Sequence, residues 1–392
     1  MNRKIALSAF VAILSLSIIM GQFVDVASAN FFPPAIPSPA IIIKSDGSIE
    51  PSTAPIHRVS DVYTLKDNIA GYAIVIQRNN IVVDGAGYVL QGTGNSTGIF
   101  LQDTQNVVIK NLTIKGFSRG VWFTWGLSID QGAKNNIITN NTITNNTYGI
   151  NCALFTSNNT IIENSITNNE YGIYIAYSPN NLLRNNRLSG NRYNLWVDCL
   201  LSNQGSAFIN DIDASNTVDG KPVYYWAGEK DKTVPSDAGY VALVRCFNIT
   251  VQGLNLSQNG QGVLMVETNN SMVTGNYIAE NNYGIALFGM YAPCTNNTVA
   301  NNRMIENIKN IYTYLDGSTN TIEDTTSETQ TPPLSPIVTE NPSPSPSATS
   351  SSSPAPTLSP SPSIPELPSW MVVPLILASA LLIIFLRRRN RR

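Results

Sequence analysis

Carboxylates and aromatic rings gather in one stretch of the chain. Between Asn210 and Asp237 lie Asp211, Asp213, Asp219, Lys221, Glu229, Lys230, Asp231, Lys232 and Asp237, together with Tyr224, Tyr225 and Trp226. Rings that stack on sugar C–H faces, beside acids that take hydroxyl hydrogen bonds, are what carbohydrate recognition uses. Asp219, Lys221, Tyr224, Tyr225 and Trp226 are therefore candidate carbohydrate-binding residues. The same stretch admits a second chemistry, in which Asp211, Asp213 and Asp219 serve a glycoside hydrolase or polysaccharide lyase. That requires two carboxyls about 5 to 9.5 Å apart in an outward groove, whereas scattered or salt-bridged acids favour binding. The plainest alternative has Tyr and Trp alternating in and out of a strand, with the charges on a solvated loop.

Other chemistries have few residues to work with. A single histidine, His57, largely excludes Ser-His-Asp and Cys-His catalysis and multi-histidine metal sites. Asp84 and Asp103 stand alone and suit turns. Cys152, Cys199, Cys246 and Cys294 are 47, 47 and 48 residues apart. That spacing is near two repeats of the pattern described next, or roughly 10 Å at the strand separation, beyond the ~7 Å reach of a disulfide. Buried free thiols are expected, with Cys246 to Cys294 the best alternative pairing.

These residues are positioned by a repeat. A Gly or Asn followed by an aliphatic residue recurs at Gly98, Gly120, Gly149, Gly172, Asn194, Gly262, Gly284 and Asn310, with steps of 22, 29, 23, 22, 68, 22 and 26. The 29 and 26 steps read as turns with loop insertions, and 68 as three turns whose signature fades. Six residues before seven of these positions stands Ile114, Ile143, Ile166, Leu188, Leu256, Ile278 or Met304, which confirms the register. Pairs such as Ile173 and Ile175 alternate with period two, so one strand face turns inward. Tyr174 and Trp196 fall at outward positions on successive turns, with Tyr312 farther along. At about 4.8 Å per turn such a stripe could follow a sugar chain, so Tyr174 and Trp196 are also candidate carbohydrate-binding residues.

Asn, with 46 copies, replaces charge as the polar filler of a chain only 13% charged. Asn141, Asn164, Asn186, Asn276 and Asn302 recur in the turns, where Asn tolerates left-handed backbone and its amide can bond the turns above and below. The pattern predicts an all-β solenoid of stacked parallel strands over residues 60–325, with ten to twelve turns and a cap formed by Asp61 to Ala73.

Residues 1–29 read as a signal peptide, with a basic start, an apolar core and Ala27-Ser28-Ala29 as cleavage site. Residues 30–59 form an N-terminal extension, and residues 326–368 a Ser/Pro/Thr-rich stalk. Residues 369–386 are uncharged and precede Arg387, Arg388, Arg389, Arg391 and Arg392, the pattern of a C-terminal transmembrane helix with a cytoplasmic arginine cluster at 387–392. From Asn30 to Pro368 there are 17 basic and 25 acidic residues. That balance gives no attraction to nucleic acid.

Ile81-Val82-Val83-Asp84-Gly85-Ala86-Gly87, the Asn-Asn-x-Ile turns and Gly220-Lys221-Pro222-Val223-Tyr224-Tyr225-Trp226 resemble archaeal surface proteins of the NosD-like right-handed parallel β-helix family. The resemblance covers about Ser60 to Glu323. It implies a right-handed coil and a carbohydrate-binding or sugar-hydrolase-like domain. The family is also labelled periplasmic copper-binding, but copper needs thiolate, thioether or imidazole, His57 precedes the first turn, and Met265, near Met272, is at an inward position that Met commonly fills. No cofactor is expected. Pro365-Glu366-Leu367-Pro368-Ser369-Trp370 and the segment after it resemble a PEF-CTERM sorting tail, which implies processing of the anchor. Asn95, Asn111, Asn140, Asn145, Asn158, Asn248, Asn255, Asn269 and Asn296 head sequons and are candidate glycosylation sites.

The expectation is a surface-anchored, non-catalytic module that binds a polysaccharide or surface glycan or serves a structural or adhesive role. A polysaccharide lyase or glycoside hydrolase is the alternative, and a copper-binding accessory protein the third reading.

Overall fold

The computed structural model describes residues 36–124, 132–199, 205–314, 319–323 and 326–328. They wind into an all-β parallel solenoid of about 11 turns. An interior turn has three strands: Ile137–Thr139, Thr142–Thr144 and Tyr148–Ala153 pair in register with Thr160–Ile162, Ser165–Thr167 and Tyr171–Ala176 one turn later. Ile138, Ile143 and Ile150 point inward and are fully buried. Their β-branched side chains suit a pleated surface. Corners fall at Asn140, Asn145 and Asn158, each with φ of 55° to 57°, a conformation Asn tolerates better than most residues.

Behind the corners, buried asparagines form ladders. Asn164 Oδ1 accepts from the backbone N and Nδ2 of Asn141, at 3.0 and 3.1 Å, and Asn164 Nδ2 donates to Asn186 Oδ1 at 3.0 Å. The same bonding joins Asn136, Asn159, Asn181 and Asn210, and Asn146, Asn169 and Asn191. A neutral amide, donor and acceptor at once, repeats along the stack without like-charge repulsion. That is why Asn supplants charged residues here.

The glycine column has a steric cause. A Cβ on Gly149 would lie 2.5 Å from the carbonyl oxygen of Gly172, and one on Gly120 2.7 Å from that of Gly149. At these two positions the carbonyl of the next turn therefore leaves room only for glycine.

The 68-residue step is not three more turns of one stack. The sheet of long strands that begins at Ala40–Ile43 ends with Tyr193–Asp198. Thr217–Val218, in the neighbouring sheet, turns back through Asp219 (φ 48°) and Gly220 (φ 79°) into an antiparallel partner, Lys221–Ala227. Parallel stacking then resumes on Lys221–Ala227 with Tyr240–Val244, Gln261–Val266, Tyr283–Phe288 and Lys309–Tyr314. Two glycine columns thus lie in different sheets, because an Asp-Gly hairpin, a favoured two-residue turn, redirects the chain.

The second stack closes the end of the first. Ala242, Val244, Leu264, Val266, Ala286 and Phe288, on the outer face of its long strands, share one hydrophobic core with Leu195, Val197, Ile212 and Val218 of the first stack's last turn. Val241, Leu243, Val263, Met265, Ile285 and Leu287, on the other face, form the second stack's own core.

The ends also depart from expectation. Ala40–Ile43 already pairs in parallel with Ala73–Ile76, so stacking starts about twenty residues earlier than predicted. The hairpin of Ile56–Val59 with Val62–Leu65 contributes to that end, and Asp61 to Ala73 is not a separate cap. Pairing continues to Thr326–Glu328, in what was expected to be stalk. The signal segment, the rest of the stalk, the 369–386 span and the arginine cluster lie outside the described residues, among which no helix is long and apolar enough to cross a membrane.

Candidate functional site

The acid-rich segment does not form one site. Asp219 Oδ1 accepts from the Gly190 backbone N at 3.0 Å and its Oδ2 from Asn194 Nδ2 at 2.6 Å, closing the last turn of the first stack. Asp211 and Asp213 both bind Arg184, at 2.7 and 2.9 Å. Lys221 Nζ donates to the Asn255 carbonyl at 3.2 Å. Glu229 pairs with Lys232 at 2.6 Å, and Asp237 accepts from the Tyr224 hydroxyl at 2.9 Å. Each of these seven charges is spent on a local contact.

The aromatic residues of the same segment are end caps. Tyr224 and Trp226 are in register with Val241 and Leu243 and pack on the second stack's core. Tyr225, on the opposite face, is buried and donates its hydroxyl to the Phe208 carbonyl. Alternation in and out of the strand, the plainest reading of this segment, is what the chain does here.

Tyr174 and Trp196 belong to a different and larger feature. In the long strands of the first stack, Val121, Phe123, Ile150, Cys152, Ile173 and Ile175 fill the core. Between them, Phe100, Trp122, Asn151, Tyr174 and Trp196 form one outward column in direct register. A second column, Arg119, Tyr148, Tyr171 and Tyr193, stands beside it on the residues before the glycines.

The two columns interlock. Tyr148 and Tyr171 stack at 4.4 Å between ring centroids, and Trp196 meets Tyr171, Tyr174 and Tyr193 at 5.6, 5.4 and 5.7 Å. The Arg119 guanidinium lies 4.2 Å from the centre of the Trp122 ring. The second stack extends the surface: Tyr283 stands 6.1 Å from Trp196 and stacks on Tyr312 at 4.3 Å. Gly260 makes room for the Trp196 indole, since any Cβ there would overlap it. Trp122, Tyr148, Tyr171, Tyr174, Trp196, Tyr283 and Tyr312 all remain half-buried.

Asp198 is the one carboxylate on the long strands of this face. Burial raises its pKa to about 6, against the lowering effect of the hydrogen bond from the Cys199 backbone N–H. Burial, and then the charge of Asp198, hold the Tyr174 hydroxyl well above its ordinary range. The Tyr174 phenol stays neutral, whereas a carboxyl with a pKa of about 6 is ionised at neutral pH. Hydrolysis by a carboxylate pair would need a second acid here, and the strands Thr97–Gln102, Arg119–Thr124, Tyr148–Ala153 and Tyr171–Ala176 contain none.

Arg119, Trp122, Tyr148, Tyr171, Tyr193 and Tyr283 went unrecognised in the sequence. The signal was present for five of them: Arg119, Tyr148, Tyr171 and Tyr283 directly precede a ladder glycine and Tyr193 precedes Asn194. The sequon asparagines stand elsewhere. Asn269 is half-buried and the other eight are exposed, and none lies on the long strands of the aromatic face.

All four cysteines are free and buried, and no Cys246 to Cys294 bond forms. Burial pushes the Cys152 thiol far up, which makes it an inert core residue.

Residues 71–234 match the family described as right handed beta helix region, and residues 233–332 match periplasmic copper-binding protein (NosD). No curated protein matches the chain. Among solved structures, the mannuronan C-5 epimerase AlgE4 A-module of Azotobacter vinelandii is 14% identical, with a TM-score of 0.32 over 69% of this chain and 86% of that one. The AlgE6 A-module of the same organism is 15% identical, with a TM-score of 0.30 over 70% and 89%. An endo-xylogalacturonan hydrolase from Aspergillus tubingensis is 12% identical, with a TM-score of 0.25 over 70% and 84%.

The copper named in the second family description has no fitting ligand set among the described residues. Met265 and Met304 are fully buried core residues, His57 is exposed on Ile56–Val59, and among the described residues no three His, Cys, Asp or Glu side chains come together. Over residues 71–332 the chain is a right-handed β-helix protein with a NosD domain.

Proposed function

We propose that the chain is a non-catalytic carbohydrate-binding module displayed at the cell surface, and that a polysaccharide lies along the aromatic face of its first stack. The observation that carries this reading is the continuous half-exposed surface of Tyr148, Tyr171, Tyr174 and Trp196, backed by buried Tyr193 and prolonged by Tyr283 and Tyr312. Rings repeated at every turn, about 4.8 Å apart, offer successive stacking positions to a chain of sugars. Amphipathic rings with half-exposed edges are suited to a ligand that is apolar on its faces and polar at its rim.

The sequence ends supply the surface address. A signal peptide at 1–29, a stalk at 329–368 and an apolar span at 369–386 with an arginine cluster would carry the domain outside and hold it off the membrane. Glycans on the exposed sequon asparagines would cover corners and leave the aromatic face open. Asp211 and Asp213, engaged by Arg184, and Asp219, engaged in closing the stack, are poor candidates for hydrolysis.

A glycan array and polysaccharide pull-down with the purified chain, followed by reducing-end and unsaturated-uronate assays on each hit, tests the proposal. Binding without turnover is expected. Turnover would replace the module by an enzyme, and silence throughout would leave a structural surface protein.

A further inference from the structure

At one end of the aromatic face, three polar atoms shielded from water have no hydrogen-bond partner among the described residues: Arg119 Nε, Trp122 Nε1 and Asn151 Oδ1. Trp122 and Asn151 are register partners on successive turns, and Arg119 lies over the Trp122 ring. Asn151 is 5% exposed. Buried polar groups are nearly always paired. Two unpaired donors and one unpaired acceptor on adjacent turns therefore describe a missing ligand.

The types of these atoms narrow its chemistry. Arg119 forms no ion pair with any described carboxylate, and burial works against its charge. An anion would relieve it. A carboxylate has two oxygens for the Arg119 and Trp122 donors, and guanidinium favours such planar acceptors. Asn151 Oδ1 requires a donor close by, which a neighbouring sugar hydroxyl provides. Sulfate or phosphate alone would face Asn151 with another acceptor, and a neutral sugar would leave the guanidinium uncompensated.

Resting on the reading that this face binds carbohydrate, we infer that the ligand is an acidic polysaccharide, with one uronate carboxylate held by Arg119 and Trp122 and an adjacent hydroxyl donating to Asn151. Successive sugars then lie on Tyr148, Tyr171, Tyr174 and Trp196, so the polymer runs along the stack. The expected subsite spans the first of these turns, and the remaining face is indifferent to charge.

The test titrates the full chain with polygalacturonate, alginate and hyaluronan, each beside its carboxyl-reduced form. At least one acidic polymer should bind about tenfold or more tightly than its reduced counterpart, a step of about 1.4 kcal/mol. Arg119→Gln and Trp122→Phe should each remove most of that preference, bringing the acidic polymer down toward the affinity of its reduced counterpart. Trp122→Phe keeps a ring in place and carries the test if Arg119→Gln fails to fold. Equal binding of acidic and reduced polymers, lost together in Trp196→Ala, would overturn the acidic subsite and keep the carbohydrate face. No binding of any polymer in either form would overturn both.

Discussion

Asn191 Nδ2 donates to Asn194 Oδ1 at 2.9 Å, within its own turn, where Asn146 and Asn169 at the same corner donate to the asparagine one turn ahead. Asn194 also takes the place of the ladder glycine. Both changes have one cause: the long-strand sheet ends here, so no further turn supplies an acceptor and none crowds out a Cβ. Asn307 and Asn310 repeat the arrangement at 3.2 Å in the last long strand of the second stack. The turns that open at Asn146, Asn169, Asn259 and Asn281 read Asn-x-x-Gly, and the terminal turns at Asn191 and Asn307 read Asn-x-x-Asn.

Gly149→Ala should therefore be costly, because its Cβ would meet the Gly172 carbonyl oxygen at 2.5 Å. A loss of about 1 to 3 kcal/mol is expected for such overpacking. Asn194→Ala brings no new Cβ and loses only its hydrogen bonds. Urea denaturation of both variants checks the contrast, and a Gly149→Ala protein as stable as the parent would contradict the steric account of the column.

Asn164→Ala should cost on the order of 3 kcal/mol. It leaves the Asn141 backbone N–H buried without its acceptor and removes the donor to the Ile138 carbonyl and Asn186 Oδ1, and a buried group left unpaired costs about 1 to 3 kcal/mol. Asn140→Ala, at an exposed corner of the same turn, should cost much less. Thermal melts of the pair measure the difference.

Stability should fall as pH rises from about 4 to about 6. Asp198 is raised to about 6 by burial, against about 3.9 in an unfolded chain. Its contribution is thus fully present below the unfolded value and lost as pH climbs through the folded one, up to about 3 kcal/mol in all. Asp198→Asn should flatten this part of the curve. Denaturation midpoints collected from pH 4 to pH 8 for the two proteins provide the comparison.

Much of this architecture was legible in sequence. Ile99, Val121, Ile150, Ile173 and Leu195 are in register as the Gly/Asn ladder required, because period two and a fixed turn length leave little choice once one face is buried. The break between the stacks was less visible. Its marker was Asp219-Gly220, two residues, and a step of 68 so close to three turns concealed it. The site was half legible: alternation identified Tyr174 and Trp196 as outward, but Tyr148, Tyr171 and Tyr193 share the parity of the inward Ile150, Ile173 and Leu195 and yet pack against the outward rings. Tyr224 and Trp226 misled because composition does not distinguish a ring that seals an open core from one that waits for a ligand.

Trp226 and Trp196 separate the two roles. Trp226 packs on the second stack's core, so Trp226→Ala should lower stability by about 3 kcal/mol with little change in glycan affinity at a temperature where the variant is folded. The most direct measurement is the affinity of Trp196→Ala, Tyr174→Ala and Trp226→Ala for a polysaccharide that the parent binds, each protein first shown to be folded by its melting curve. Affinity reduced about tenfold or more by the first two and kept in the third is the expected result; unchanged affinity in Trp196→Ala and Tyr174→Ala, with loss in Trp226→Ala, would contradict the assignment of the binding face.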